Sequence, residues 1–169
     1  DGSVVTWGGT EYGGDSSSVS SSLSSGVSQI FSTSHAFAAL KDDGSVVTWG
    51  GWSNEYFNFQ GGDSSSVSSS LSSGVSQIFS SESAFAALKD DGSVVTWGGH
   101  GGDSSSVSSS LSSGVSQIFS SNYAFAALKE DGSVVTWGGT EYGGDSSSVS
   151  SSLSSGVSQI FSTSHAFAA

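Results

Sequence analysis

Valine, alanine and aromatic residues stand in short runs between long polar stretches, and the runs recur in one order along the chain. The strand-like segment DGSVVTWGG begins at Asp1, Asp43, Asp91 and Asp131. In each unit the block GGDSSSVSSSLSSGVSQIFS then follows without a change, and AFAALK closes the first three units. Self-similarity on such a period signals a repeat architecture, whose units cover one another's apolar faces. The units run over 1–42, 43–90, 91–130 and 131–169.

Each unit predicts three strands and one short helical turn. VSQIF (27–31) is β-branched and aromatic, with apolar residues at alternate and terminal positions. AFAALK and SVVTWG flank a D-D-G tip, which suits a tight hairpin with glycine at positive φ. Serine disfavours a helix interior, so DSSSVSSSLSSG reads by composition as a loop. Yet Asp15 is placed as a cap, Val19 and Leu23 share a face, and Gly26 stands where a helix ends. That spacing predicts one or two helical turns. Val5, Trp7, Ile30, Phe31, Phe37 and Leu40 are the expected core of one unit. Burying each contributes roughly 1.5–3 kcal/mol.

Charge narrows the functions open to this framework. Fifteen acidic residues face three basic ones, for a net charge of −12. Nucleic-acid backbones need Lys and Arg to displace counterions, and anionic membrane surfaces need the same sign. Both partners are therefore excluded on charge. There is no cysteine, so no disulfide and no thiolate metal site. No apolar run approaches the ~20 residues that span a bilayer, and no signal peptide is evident. Lys41, Lys89 and Lys129 occupy one repeat position and read as strand-end solubility residues. The chain lacks Met and opens inside a recurring motif, so it reads as a piece of something longer.

The order A-L-x-x-D-G-x-V-x-x-W-G, followed by a Gly-containing stretch such as TEYGGD, resembles the regulator-of-chromosome-condensation repeat. The likeness covers essentially every unit, apart from the serine-rich segment. It implies a mainly β repeat protein, with β-propeller-like blades of about three strands plus a short helical turn each. The family's blades usually run longer and come in sevens. Four units fit a closed ring, half of an eight-bladed dimer, or a slice of a longer array. Residues 166–169 are placed to pair with residues 4–7, within one chain or head-to-tail between chains, which hides two exposed strand edges. Only the scaffold is carried over, because the charge contradicts a chromatin role.

Nearly all variation falls in two windows. After VVTWGG stand TEY, WSNEYFNFQ, H and TEY. The nine-residue insertion carries Trp52, Tyr56, Phe57 and Phe59, either as a binding loop or as a plug over a neighbouring blade. Glu11, Glu55 and Glu141 precede Tyr12, Tyr56 and Tyr142, a pair suited to stacking on sugar or peptide. The second window, after SQIFS, is expected to place His35, Glu82, Tyr123 and His165 at equivalent positions around one face. Such a ring would suit a cation or polar group, although loop residues of this kind are usually just solvated. His100 belongs to the first window. The Asp of GGD raises calcium, but one carboxylate per unit makes no oxygen cage, so no cofactor is expected.

No nucleophile elbow or phosphate loop is present, and identical repeats do not suit an asymmetric active site. The expected function is a noncatalytic scaffold of an extracellular or surface protein that binds a protein or glycan through variable loops. The alternative is a purely structural module, natural or engineered, that self-assembles into a ring, fibre or spacer.

Overall fold

The computed structural model describes residues 1–53 and 58–169, by backbone alone at 52, 53 and 58–60. It is mainly β, a row of repeated antiparallel sheets joined by short 3₁₀ turns. The first sheet holds β1 (Val27–Ser32), β2 (Ala36–Lys41) and β3 (Val46–Gly50), in that order. After the short pair β4 (Trp52–Ser53) and β5 (Asn58–Phe59), the second sheet holds β6 (Val75–Ser80), β7 (Ala84–Lys89) and β8 (Val94–Gly98). The third holds β9 (Val115–Ser120), β10 (Ala124–Lys129) and β11 (Val134–Gly138). The last has two strands, β12 (Phe161–Ser162) and β13 (Phe167–Ala168).

Every full sheet is a meander turned by the acidic-glycine hairpin, with Gly44 at φ 76°. Asp43 accepts from the N–H and hydroxyl of Ser45 and closes the tip. The serine-rich segment forms a 3₁₀ turn, Ser17–Val19 in the first unit, rather than a regular helix. Serines favour local turns over a long helix, and one such turn suffices to present Val19 and Leu23 inward. Asp15 caps it from outside, accepting from the Ser17 N–H at 2.9 Å, and Gly26 takes φ 72°. Lys41, Lys89 and Lys129 each donate to a serine carbonyl of this segment at 2.8 Å, so they tie turn to sheet rather than merely solvate a strand end.

The core lies between successive sheets. Ala36, Ala38 and Leu40 of the first sheet pack on Ile78, Phe85, Ala87 and Trp97 of the second. The same interface repeats with Ala84, Ala86 and Leu88 against Ile118, Phe125, Ala127 and Trp137. Alanines buried completely at the middle strand let the sheets approach closely, and the Phe and Trp of the facing sheet fill the space. Three residues expected in the core of the first unit depart from it. Val5, Trp7 and Ile30 are exposed, because no sheet lies on their side, while Ile78, Ile118 and Ile160 are buried. Residues 4–7 and 166–169 are not paired with one another within the chain: β13 pairs only with β12.

Candidate functional site

Both variable windows come to one end of the sheets. The hairpin tip lies at the other end, and Ala36 pairs with Gly50, so residues 35 and 51 meet there. The Gly51 N–H donates to the His35 carbonyl at 2.6 Å, and Gly99 and Gly139 donate to Ser83 and Tyr123 at 2.8 Å. The first-window loop of each sheet then reaches the second window of the next. Tyr12 stacks on His35 with centroids 4.9 Å apart. His100 meets the edge of Tyr123 at 5.6 Å. Tyr142 stands between Tyr123 at 4.7 Å, edge-on, and His165 at 4.8 Å, stacked.

These contacts revise the expected ring. His35, Tyr123 and His165 are equivalent to Ser83, whereas Glu82 stands one position earlier, with Ser34, Asn122 and Ser164. The backbone states the register. The Ser34 N–H donates to Glu82, Glu82 to Asn122 and Asn122 to Ser164, at 2.8–3.0 Å. This inner row borders an open polar depression of about 750 Å³ that gathers a tripeptide from every unit: 32–34, 80–82, 120–122 and 162–164. His35, Tyr123 and His165 instead sit outside that row, against the first-window aromatics. Glu82 links the two layers: burial first, and then its carboxylate hydrogen-bonded to the phenol, push Tyr123 above its ordinary value.

The insertion rises from the same loop position as Tyr12 and Tyr142. Trp52 pairs with Phe59 and Ser53 with Asn58, a short hairpin at the end of the sheets that carries the variable residues. Glu55, Tyr56 and Phe57 lie outside the described residues, as do the side chains of Trp52 and Phe59. Among the described residues, no three His, Asp or Glu side chains gather as metal ligands. The GGD aspartates serve the fold instead. Asp63, Asp103 and Asp145 each accept from the N–H of the serine two residues on; that serine's hydroxyl first and its N–H second lower the pKa of Asp63 and Asp103, and the N–H first and the hydroxyl second that of Asp145. Sequence reading missed the partnership between the windows. Its signal was present, since each window-one aromatic or His is followed one sheet later by a window-two aromatic or His except at Ser83.

No known family profile matches the chain, and no curated protein does. Among solved structures, human WBSCR16 is similar at 24% identity over 66% of this chain and 34% of that one, with a TM-score of 0.43. The ectodomain of the Physcomitrella patens receptor kinase CR4 is similar at 17% identity, over 68% and 30%, TM-score 0.43. The computationally designed Ika8 protein is similar at 17% identity, over 66% and 33%, TM-score 0.36. The chain spans about a third of the length of each. No helix among the described residues is long and apolar enough to cross a membrane.

Proposed function

We propose that the chain is a noncatalytic binding scaffold, with an invariant β framework and a recognition surface made from the residues that differ between units. The blades would be of the regulator-of-chromosome-condensation type, curved about the polar depression. One observation carries the reading: the two variable windows, distant in sequence, converge as the row His100, Tyr123, Tyr142 and His165. Aromatic faces beside hydroxyl-lined and amide-bearing backbone suit a neutral, polyhydroxylated ligand, a glycan, at an acidic extracellular surface. An enzyme would need a nucleophile held by a base, whereas the hydroxyls of Ser24, Ser28 and Ser64 bond to backbone carbonyls or to a threonine hydroxyl.

The test is titration of the 169-residue chain with a panel of neutral oligosaccharides, followed by amide chemical shifts. Binding that perturbs the amides of residues 122–123, 142 and 165, and that Tyr142→Ala abolishes while the circular dichroism is kept, is the expected result. No binding anywhere in the panel, or binding indifferent to Tyr142→Ala, overturns the reading.

A further inference from the structure

Three of the first-window loops close with the same bond but enclose different lengths. The Gly14 N–H donates to the Gly9 carbonyl and the Gly144 N–H to Gly139, both at 3.0 Å, whereas the Gly102 N–H donates to Gly99 at 2.8 Å. The first two loops hold Thr10–Tyr12 and Thr140–Tyr142 as a 3₁₀ turn. The other has only His100 before its glycine pair. His100 takes the place of the tyrosine, since it meets Tyr123 as Tyr12 meets His35. The residues missing from this loop are therefore the Thr–Glu pair.

That pair has a definite position where it is present. Thr140 and Glu141 border one space with Gly143 and Asp145. The counterparts of the last two, Gly101 and Asp103, border a cleft of about 470 Å³ with no residue of their own loop in the place of the pair. The cleft lies between the loops that follow the second and third sheets, both of three strands. Gly98, Gly99, Gly138 and Gly139 wall it, so its walls are backbone without side chains. His100 and Asp103, both exposed, supply its ring and its charge. A carboxylate has about four acceptor positions. The N–H and hydroxyl of Ser105 take two of those on Asp103.

We propose that this cleft is the primary subsite of the scaffold and takes one neutral sugar ring, an inference that rests on the glycan reading above. A sugar ring presents a C–H face and a rim of hydroxyls. Glycine walls let the C–H face lie against backbone, and the remaining acceptor positions of Asp103 take two neighbouring hydroxyls. The volume falls within the ~300–1,000 Å³ of small-ligand sites. His100 flanks the ring and continues into Tyr123 and Tyr142, so further sugar units run along the aromatic row. A sugar bearing a carboxylate is rejected, because Asp103 borders the cleft and the chain carries a net charge of −12. The TEY loops do not serve in the same way, since Thr and Glu fill the place. Shortening one loop is thus what distinguishes this unit from its neighbours.

Amide chemical shifts of the 169-residue chain, followed on titration with lactose, maltose, cellobiose, diacetylchitobiose and their monosaccharides, test this. The amides of residues 99–103 and 138–139 are expected to move with a monosaccharide, and those of 123 and 142 to join them with its disaccharide. Inserting Thr–Glu between Gly99 and His100 gives this loop the length of its TEY counterparts, which fold in two other units. Asp103→Asn instead keeps the loop length and an acceptor for Ser105, so it reads the same site should the insertion disturb the fold. Each variant is expected to weaken binding about tenfold with the circular dichroism kept, as loss of a hydrogen bond to a charged group would. Sugar binding that Tyr142→Ala abolishes but neither variant changes overturns the cleft and leaves the glycan reading in place. Absence of binding by every sugar overturns both.

Discussion

Trp97 stacks on Phe85 at 5.2 Å and donates its indole N–H to the carbonyl of Gly61, 36 residues back. One side chain thereby joins its own sheet, the middle strand beside it and the loop after the first sheet. The ring and the N–H contribute separately. Trp97→Ala removes a fully enclosed ring and is expected to cost about 3–5 kcal/mol in urea denaturation. Trp97→Phe keeps most of the apolar volume but leaves a buried carbonyl without its donor, at about 1–3 kcal/mol. A Trp97→Phe variant as stable as the wild type would mean that the hydrogen bond contributes nothing, and equal losses for the two variants would mean that the ring contributes nothing beyond it.

The paired glycines of GGD are set by the same junction. A Cβ at Gly102 would stand 2.6 Å from the Gly98 carbonyl oxygen and 2.7 Å from the Trp97 carbonyl carbon. Those atoms are backbone and cannot swing aside. Gly102→Ala is expected to lower stability by about 1–3 kcal/mol, in the range of an overpacked core, and to do so without exposing any side chain. Thermal unfolding of the variant checks this, and an unchanged midpoint would show that the loop moves freely off the sheet.

Much of this was legible in the sequence because the repeats state it four times. AFAALK and SVVTWG about an acidic-glycine tip became hairpins, and Leu23 became buried. One thing was not legible. Ile30 and Ile78 have the same neighbours in sequence but differ in exposure, since burial there depends on whether another sheet lies alongside. The register of the second window was legible too, and was misread. Three residues stand between the invariant VSQIFS and AFAA in every unit, so counting alone aligns Glu82 with Ser34 and Ser83 with His35, and the backbone ladder from residue 34 to 164 agrees.

The hairpin tips make acid sensitivity local. Asp91 accepts from the Ser93 hydroxyl at 2.6 Å and the Ser93 N–H at 2.9 Å, and these bonds lower its pKa below the ordinary 3.8. A carboxyl held below its unfolded value contributes stability that is complete above that value and is lost as pH falls through the lowered one. Asp91→Asn retains a carbonyl acceptor but not the charge. The gap between wild type and Asp91→Asn is therefore expected to be constant from pH 7 down to about 5 and to close below about 4. Urea midpoints of both proteins across that range test it, and the shared relief of the −12 net charge cancels in the difference. A gap that widens on acidification would refute the assignment.

Tyr123 carries the corresponding test for the end of the sheets where the variable windows meet. Its phenol is raised above 10.0 by burial first and by the Glu82 carboxylate second, because the ionised form would lose water and meet a like charge. Ultraviolet titration is expected to show one tyrosine ionising later than free tyrosine, and Tyr123→Phe should delete that component. Glu82→Gln removes the charge but leaves the burial. The late component should then move down toward 10.0 without reaching it. If Glu82→Gln leaves it in place, Glu82 does not face Tyr123 in solution, and the link between the polar depression and the aromatic row is broken. If the shift disappears altogether, the carboxylate rather than burial governs the phenol, and the site is wetter than its packing implies.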